Sequence, residues 1–134
     1  MQLPRGAVVA VADGRSLHLY RNAGDELRPE LEALPAPQLG VARVGSPAPH
    51  LNGASTSSDR SGEESGFAFD VADFLNRQVL DGAIAELVIV APPRTLGELR
   101  RHYHKQLSAR LMAEIGKELA GHGVADIQTA ISSA

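Results

Sequence analysis

Two short apolar runs, AVVAVA at Ala7–Ala12 and ELVIVA at Glu86–Ala91, set the strongest limit on what this chain can fold into. A strand with one wet face alternates apolar and polar residues, whereas a continuous run of this length, bounded by turn residues, needs apolar cover. The first run reads as a buried strand. The second, ended by Pro92-Pro93, reads as a strand buried on both faces. Such strands belong in a sheet with helices packed against it, and the segments between them supply both strands and helices.

After the first run comes Asp13-Gly14, a turn, and then Ser16–Arg21, where Leu17 and Leu19 alternate with His18 and Tyr20. This is a half-buried strand. Asn22–Asp25 supplies another turn, and Leu27–Leu34 a third strand, whose Pro29 suits an edge position. The opening is therefore a three-stranded antiparallel meander. In Pro35–Gly66, half of the 32 residues are Pro, Gly, Ser or Thr, which predicts a long, mobile loop. Ser61-x-x-Glu64 is a capping-box pattern, and Phe67, Val71, Phe74, Leu75 and Val79 follow at helical spacing up to the stop at Asp81-Gly82.

Thr95-x-x-Glu98 is a second capping-box pattern, with Leu96, Leu99, Tyr103 and Leu107 along one helix face. Continuing that helix to Leu119 would make 25 residues, about 37 Å at 1.5 Å per residue, and would bury Gly116 inside it at a cost of about 1 kcal/mol. A break near Ser108 and a fifth strand over Leu111–Glu118 is the better solution. Gly121-His122-Gly123 is a turn, and Val124, Ile127 and Ile131 mark a C-terminal helix. The order β-β-β-loop-α-β-α-β-α predicts a single α/β domain over residues 1–134. It is a three-layer ribonuclease H-like fold: a mixed five-stranded sheet, antiparallel meander plus βαβα half, with helices on both faces.

Composition narrows function mainly by exclusion. The chain has no cysteine, so a disulfide scaffold, a thiol nucleophile and a cysteine-ligated metal are ruled out. No stretch approaches the roughly 18 apolar residues of a membrane span, and no signal-peptide core opens the chain, so the expected location is the cytosol. Net charge is −3, unlike a strongly basic nucleic-acid binder. The distribution is uneven, however: Arg94–Glu118 holds six basic and three acidic residues. Such a local patch can steer a polyanion or an acidic partner; it also fits a solvated helix face.

Arg94 is the first candidate for binding. It should lie just past the carboxyl end of the fourth strand, where open α/β sheets place their ligands. If the first and fourth strands are neighbours, Asp13 and Gly14 lie beside it, and Thr95 opens the following helix, whose N–H groups favour an anion. The same residues also admit a purely structural account, with Thr95 as a cap and Arg94 paired to Asp13. Arg100, Arg101, Lys105 and Arg110, with Tyr103, form a candidate RNA-facing surface, although Tyr103 also falls on the apolar stripe. Asp13 alone does not make a two-metal nuclease, because the fourth strand ends in Ala-Pro-Pro-Arg and brings no second carboxylate. His102 and His104, two apart on a helix, would face different ways and cannot form an i, i+4 zinc pair. No Gly-x-Ser-x-Gly elbow exists. No catalytic residue, metal ligand or cofactor is therefore assigned.

Three segments carry a family resemblance: VAVADG at Val9–Gly14, FAFDVADFL at Phe67–Leu75, and VIVAPPRTLGELR at Val88–Arg100. Together they resemble the bacterial proteins catalogued as host attachment proteins. That family is similar to the middle domain of archaeal and eukaryotic peptide-chain release factors. The resemblance implies a strand over Leu111–Glu118 and a role at the ribosome, with ribosomal or transfer RNA, or a protein, as partner. Release factors that hydrolyse peptidyl-tRNA carry Gly-Gly-Gln, and none of Gln2, Gln38, Gln78, Gln106 and Gln128 sits beside two glycines. The resemblance thus points to a non-catalytic binding module. The alternatives are a cytosolic interaction factor acting indirectly on attachment or stress response, and a small hydrolase or nuclease using Asp13.

Overall fold

The computed structural model describes residues 2–37, 39 and 59–134, and for 59–65 the backbone alone. The first apolar run forms β1 (Val8–Ala12), followed by β2 (Leu17–Asn22) and β3 (Leu31–Ala33). Then come α1 (Asp59–Leu80), β4 (Leu87–Val90), α2 (Pro93–Arg100), α3 (Lys105–Arg110), β5 (Leu111–Ile115) and α4 (Val124–Ser133). The strands make one open mixed sheet in the order β3-β2-β1-β4-β5. β1 is antiparallel to β2, with Val8 opposite Arg21 and Ala12 opposite Leu17. It is parallel to β4, with Val8 opposite Leu87 and Val11 opposite Val90. β4 and β5 are also parallel.

The continuous apolar runs are explained by two cores. Val8, Ala10 and Ala12 of β1 and Leu87 and Ile89 of β4 meet Val71, Leu75, Leu96, Leu99 and Leu107 on the face covered by α1, α2 and α3. Val9, Val11, Val88 and Val90 point the other way, onto Leu3, Ile127 and Ile131, beneath α4. Every residue of β4 is fully buried, and each such aliphatic side chain is stabilised by about 1.5–3 kcal/mol on leaving water. β5 carries a bulge: Leu87 faces Leu111, whereas Val88 faces Ala113. Met112 is the extra residue and is partly exposed.

Several expected boundaries move. The third strand runs over Leu31–Ala33, not Leu27–Leu34. Residues 23–30 form a loop built on side chains instead. Buried Asn22 accepts the N–H groups of Gly24 and Glu30, both at 2.9 Å, and donates to the Leu3 carbonyl at 2.8 Å. Asp25 accepts from Leu27 at 3.0 Å and Arg28 at 2.8 Å. The turn closes so tightly that a Cβ on Gly24 would collide with the Arg28 carbonyl oxygen. The outward N–H of Leu31 is taken by the Gln128 side chain of α4 at 2.8 Å, which caps the edge strand.

α1 begins at Asp59, so the loop expected to Gly66 ends no later than residue 58, and Ser61 lies inside the helix rather than capping it. The part of that loop at 38 and 40–58 lies outside the described residues. α1 stops as expected at Gly82, whose φ of +83° suits glycine.

The single helix expected from Thr95 towards Ser108 is two helices. α2 starts at Pro93 with Pro92 before it and no side-chain cap, so Thr95 is the third helical residue and forms no capping box. The chain then turns at 101–104. Asn76 of α1 donates to the His102 carbonyl at 2.9 Å and accepts the His104 N–H at 2.8 Å. His104 Nδ1 in turn accepts the Gln106 N–H at 2.9 Å and caps α3. His102 and His104 thus sit in a turn, not on a helix. The fifth strand is present but ends at Ile115 rather than Glu118. The C-terminal helix forms as the spacing of Val124, Ile127 and Ile131 predicts.

Candidate functional site

Three strands, β1, β4 and β5, run parallel, so their carboxyl ends share one edge of the sheet. The loops that leave these strands meet at that edge. Asp13, Gly14 and Arg15 come after β1, Pro92, Arg94 and Thr95 after β4, and Glu118 after β5. These seven line one cleft of about 400 Å³. The chain leaves β1 towards β2 and leaves β4 towards β5. The cleft therefore lies at the switch in strand order, where open α/β sheets bind ligands.

The wall from β1 is a tight four-residue connection. Asp13 Oδ1 accepts the N–H of Arg15 and of Ser16, both at 2.7 Å, and the Ser16 hydroxyl at 3.1 Å. The Asp13 N–H donates to the Ser16 carbonyl at 3.1 Å. Partial burial pushes the Asp13 carboxyl up, but the hydrogen bonds from Arg15 and Ser16 and the nearby His18 outweigh it and hold the carboxyl below its ordinary value. Asp13 is thus a fixed carboxylate whose first task is to shape the turn that carries Gly14 and Arg15.

The opposite wall is the start of α2. Pro93 presets the helical φ and has no N–H to leave unsatisfied. It sets Arg94 and Thr95 in the first turn, with the Leu96 N–H bonded to the Pro92 carbonyl at 2.9 Å. The cleft holds two arginines, Arg15 and Arg94, and two carboxylates, Asp13 and Glu118. It is polar and charged with both signs. Among the described residues, no three His, Asp or Glu side chains converge to hold a metal ion.

Of the residues singled out in the sequence, Asp13, Gly14, Arg94 and Thr95 are brought together. Arg100, Arg101 and Lys105 are not; none of them lines the cleft. Arg100 Nε donates to Glu114 Oε1 at 2.9 Å. Arg101 pairs with Glu98 at 3.6 Å. The Tyr103 hydroxyl donates to Glu114 Oε2 at 2.8 Å. Burial first, then this bond and the charge of Glu114, raise its pKa well above the ordinary tyrosine value, against the pull of Arg100.

Arg15, Pro92 and Glu118 are the lining residues that sequence reasoning missed. Arg15 adjoins Asp13-Gly14. Glu118 falls at the end of the expected fifth strand. Ending that strand at Ile115 releases Glu118 to the same edge as the other two loops.

By fold and site this is an α/β protein with a polar crevice at the carboxyl edge of its parallel strands, the edge at which open α/β sheets place their ligands. The chain belongs to the bacterial archaeo-eukaryotic release factor family 12, whose sequence pattern matches residues 6–131. That span takes in every strand and all but the last two residues of α4. Among curated proteins, none matches. No helix among the described residues is long and apolar enough to cross a membrane.

Proposed function

We propose that the protein is a single-domain, ribonuclease H-like RNA-binding module of the release-factor-like class. It works in the cytosol with the translation machinery and contacts ribosomal or transfer RNA without cleaving a bond. One observation carries this reading: Arg15, from the β1–β2 turn, and Arg94, from the first turn of α2, line one cleft at the strand switch point. Guanidinium groups on separate rigid elements are suited to successive phosphates, which fix a nucleic acid in place. The strand order β3-β2-β1-β4-β5 supports the ribonuclease H-like assignment. The absence of Gly-Gly-Gln from the sequence supports binding without peptide release.

The test is sedimentation of the native protein through a sucrose gradient at low and high salt, beside Arg15→Glu and Arg94→Glu. The protein should travel with ribosomal particles at low salt and leave them at high salt, and each variant should stay at the top. Travel with the soluble tRNA fraction instead would assign the same phosphate chemistry to transfer RNA. Co-sedimentation unaffected by either substitution would sink the role of the cleft.

A further inference from the structure

Phe69 departs from the pattern of its own helix. Phe67, Val71, Phe74 and Leu75 of α1 pack into or against the core, but Phe69 is 43% exposed. A lone exposed apolar residue is ordinary; this one is built into a fixed setting. Its ring meets His102 edge-to-face, with centroids 5.2 Å apart and planes at 83°. His102 is held there by the two hydrogen bonds from Asn76 to the 102–104 backbone. The segment that carries His102 is basic, since residues 99–110 hold four arginine or lysine residues and no acidic one, whereas α1 itself places Asp70 next to Phe69. Glu114 and Glu98 engage Arg100 and Arg101, but Lys105 is exposed and has no ion-pair partner among the described residues. Asp73, one turn along α1 from Phe69, is paired with Arg77 at 3.2 Å. Tyr103, the aromatic residue nearest in sequence to these cations, is committed to Glu114.

We propose that the Phe69–His102 ledge is a base-stacking site for single-stranded RNA, with Lys105 and Arg101 serving the adjoining phosphates. An aromatic ring beside cations takes any base, because every base has a flat face. The proposal rests on the RNA reading of the cleft. The cleft and the basic turn lie at opposite ends of α2, about 12 Å apart along an eight-residue helix, so one strand can engage both.

The chain has no tryptophan, so Phe69→Trp places a single fluorophore on the ledge. The variant is titrated with a short single-stranded oligoribonucleotide and with an abasic oligomer of the same length and charge. Quenching by the first and not the second is expected. Phe69→Ala should bind the base-bearing RNA about tenfold more weakly, with an unchanged salt slope, and Phe69→Tyr should restore binding. Melting curves check that each variant is folded. Binding of RNA by Phe69→Trp without quenching, or equal affinity of Phe69→Ala and wild type, overturns the ledge while leaving the cleft standing. Quenching that persists in Arg15→Glu and Arg94→Glu supports the ledge and removes the cleft. No RNA binding under any condition, or burial of Phe69 by a protein partner instead, overturns it as well.

Discussion

Asp13 offers the sharpest test of how the site is built. Its Oδ1 receives three hydrogen bonds, two at 2.7 Å and one at 3.1 Å, and Asp13→Ala removes all of them. A buried bond to a charged acceptor is worth about 1.5–3 kcal/mol. The Arg15 bond here is exposed and the two Ser16 bonds are only part-buried, so about 1 kcal/mol each is the proper scale. Asp13→Ala should therefore cost roughly 2–3 kcal/mol, which for a domain of this size lowers Tm by about 8 °C. Asp13→Asn keeps the acceptor but loses the charge, and should cost about 1 kcal/mol.

The pH dependence of this effect has a definite sign. The folded carboxyl lies below the ordinary value of 3.8, so the unfolded chain takes up the proton first. The charge-dependent stabilisation is complete above about pH 4 and is lost as pH falls through the folded value. Urea melts of wild type and Asp13→Asn should thus differ by a constant amount from pH 7 to 5 and converge below about pH 4. RNA affinity should track the turn, with Asp13→Ala weaker than Asp13→Asn because Arg15 is no longer held. A metal-ligand role makes the opposite forecast: both variants equally inactive, Asp13→Asn fully stable, and a wild-type Tm raised by divalent cations. An Asp13→Ala protein within about 0.5 kcal/mol of wild type, or a difference that persists to low pH, would refute the turn-building account.

Three other substitutions have definite expected outcomes. Asn22→Ala should destabilise by about 3 kcal/mol, from its three shortest bonds at about 1 kcal/mol each, read by chemical denaturation, with early amide exchange in residues 23–30. Gly24→Ala forces the 23–30 loop off the Arg28 carbonyl and should cost more than about 1 kcal/mol in the same assay, while leaving RNA binding intact because that loop lies at the other end of the sheet. Glu118→Gln removes a carboxylate from the cleft wall and should tighten RNA binding a few-fold at low salt, an advantage that fades as ionic strength rises.

The elements legible in the sequence are those fixed by local patterns. The apolar runs over Ala7–Ala12 and Glu86–Ala91 are read correctly because central parallel strands demand apolar residues on both faces. The fifth strand is legible because Gly116 and helix length argue against the alternative. Boundaries set by distant side chains are not legible. The turn at 101–104 depends on Asn76, 26 and 28 residues away in sequence. The short third strand depends on buried Asn22, whose partners run from Leu3 to Glu30. Arg94 beside Asp13 can be foreseen from the parallel pairing of their strands. Glu118 cannot, because its position turns on where an edge strand stops.

The basic stretch shows the same principle acting on function. Counted along the chain, Arg94, Arg100, Arg101 and Lys105 look like one surface. In the fold, Glu114 reaches from β5 to take Arg100 and Tyr103 together, and with a side chain only 19% exposed it neutralises Arg100 in a partly dry setting. Glu98 does the same more weakly for Arg101, since that pair is solvent-exposed and worth little. The remaining cations named above lie in two places: Arg94 with Arg15 at the start of α2, and Lys105 with Arg101 beyond its end. A partner that contacted only one of these groups would feel a weak field from a protein of net negative charge. A flexible polyanion that reaches both gains the second contact at the high effective concentration set by the first. For that reason the double substitution Arg94→Glu with Lys105→Glu should weaken RNA binding, read by titration at low salt, by less than the product of the two single effects, because either substitution alone already loses the bridging strand.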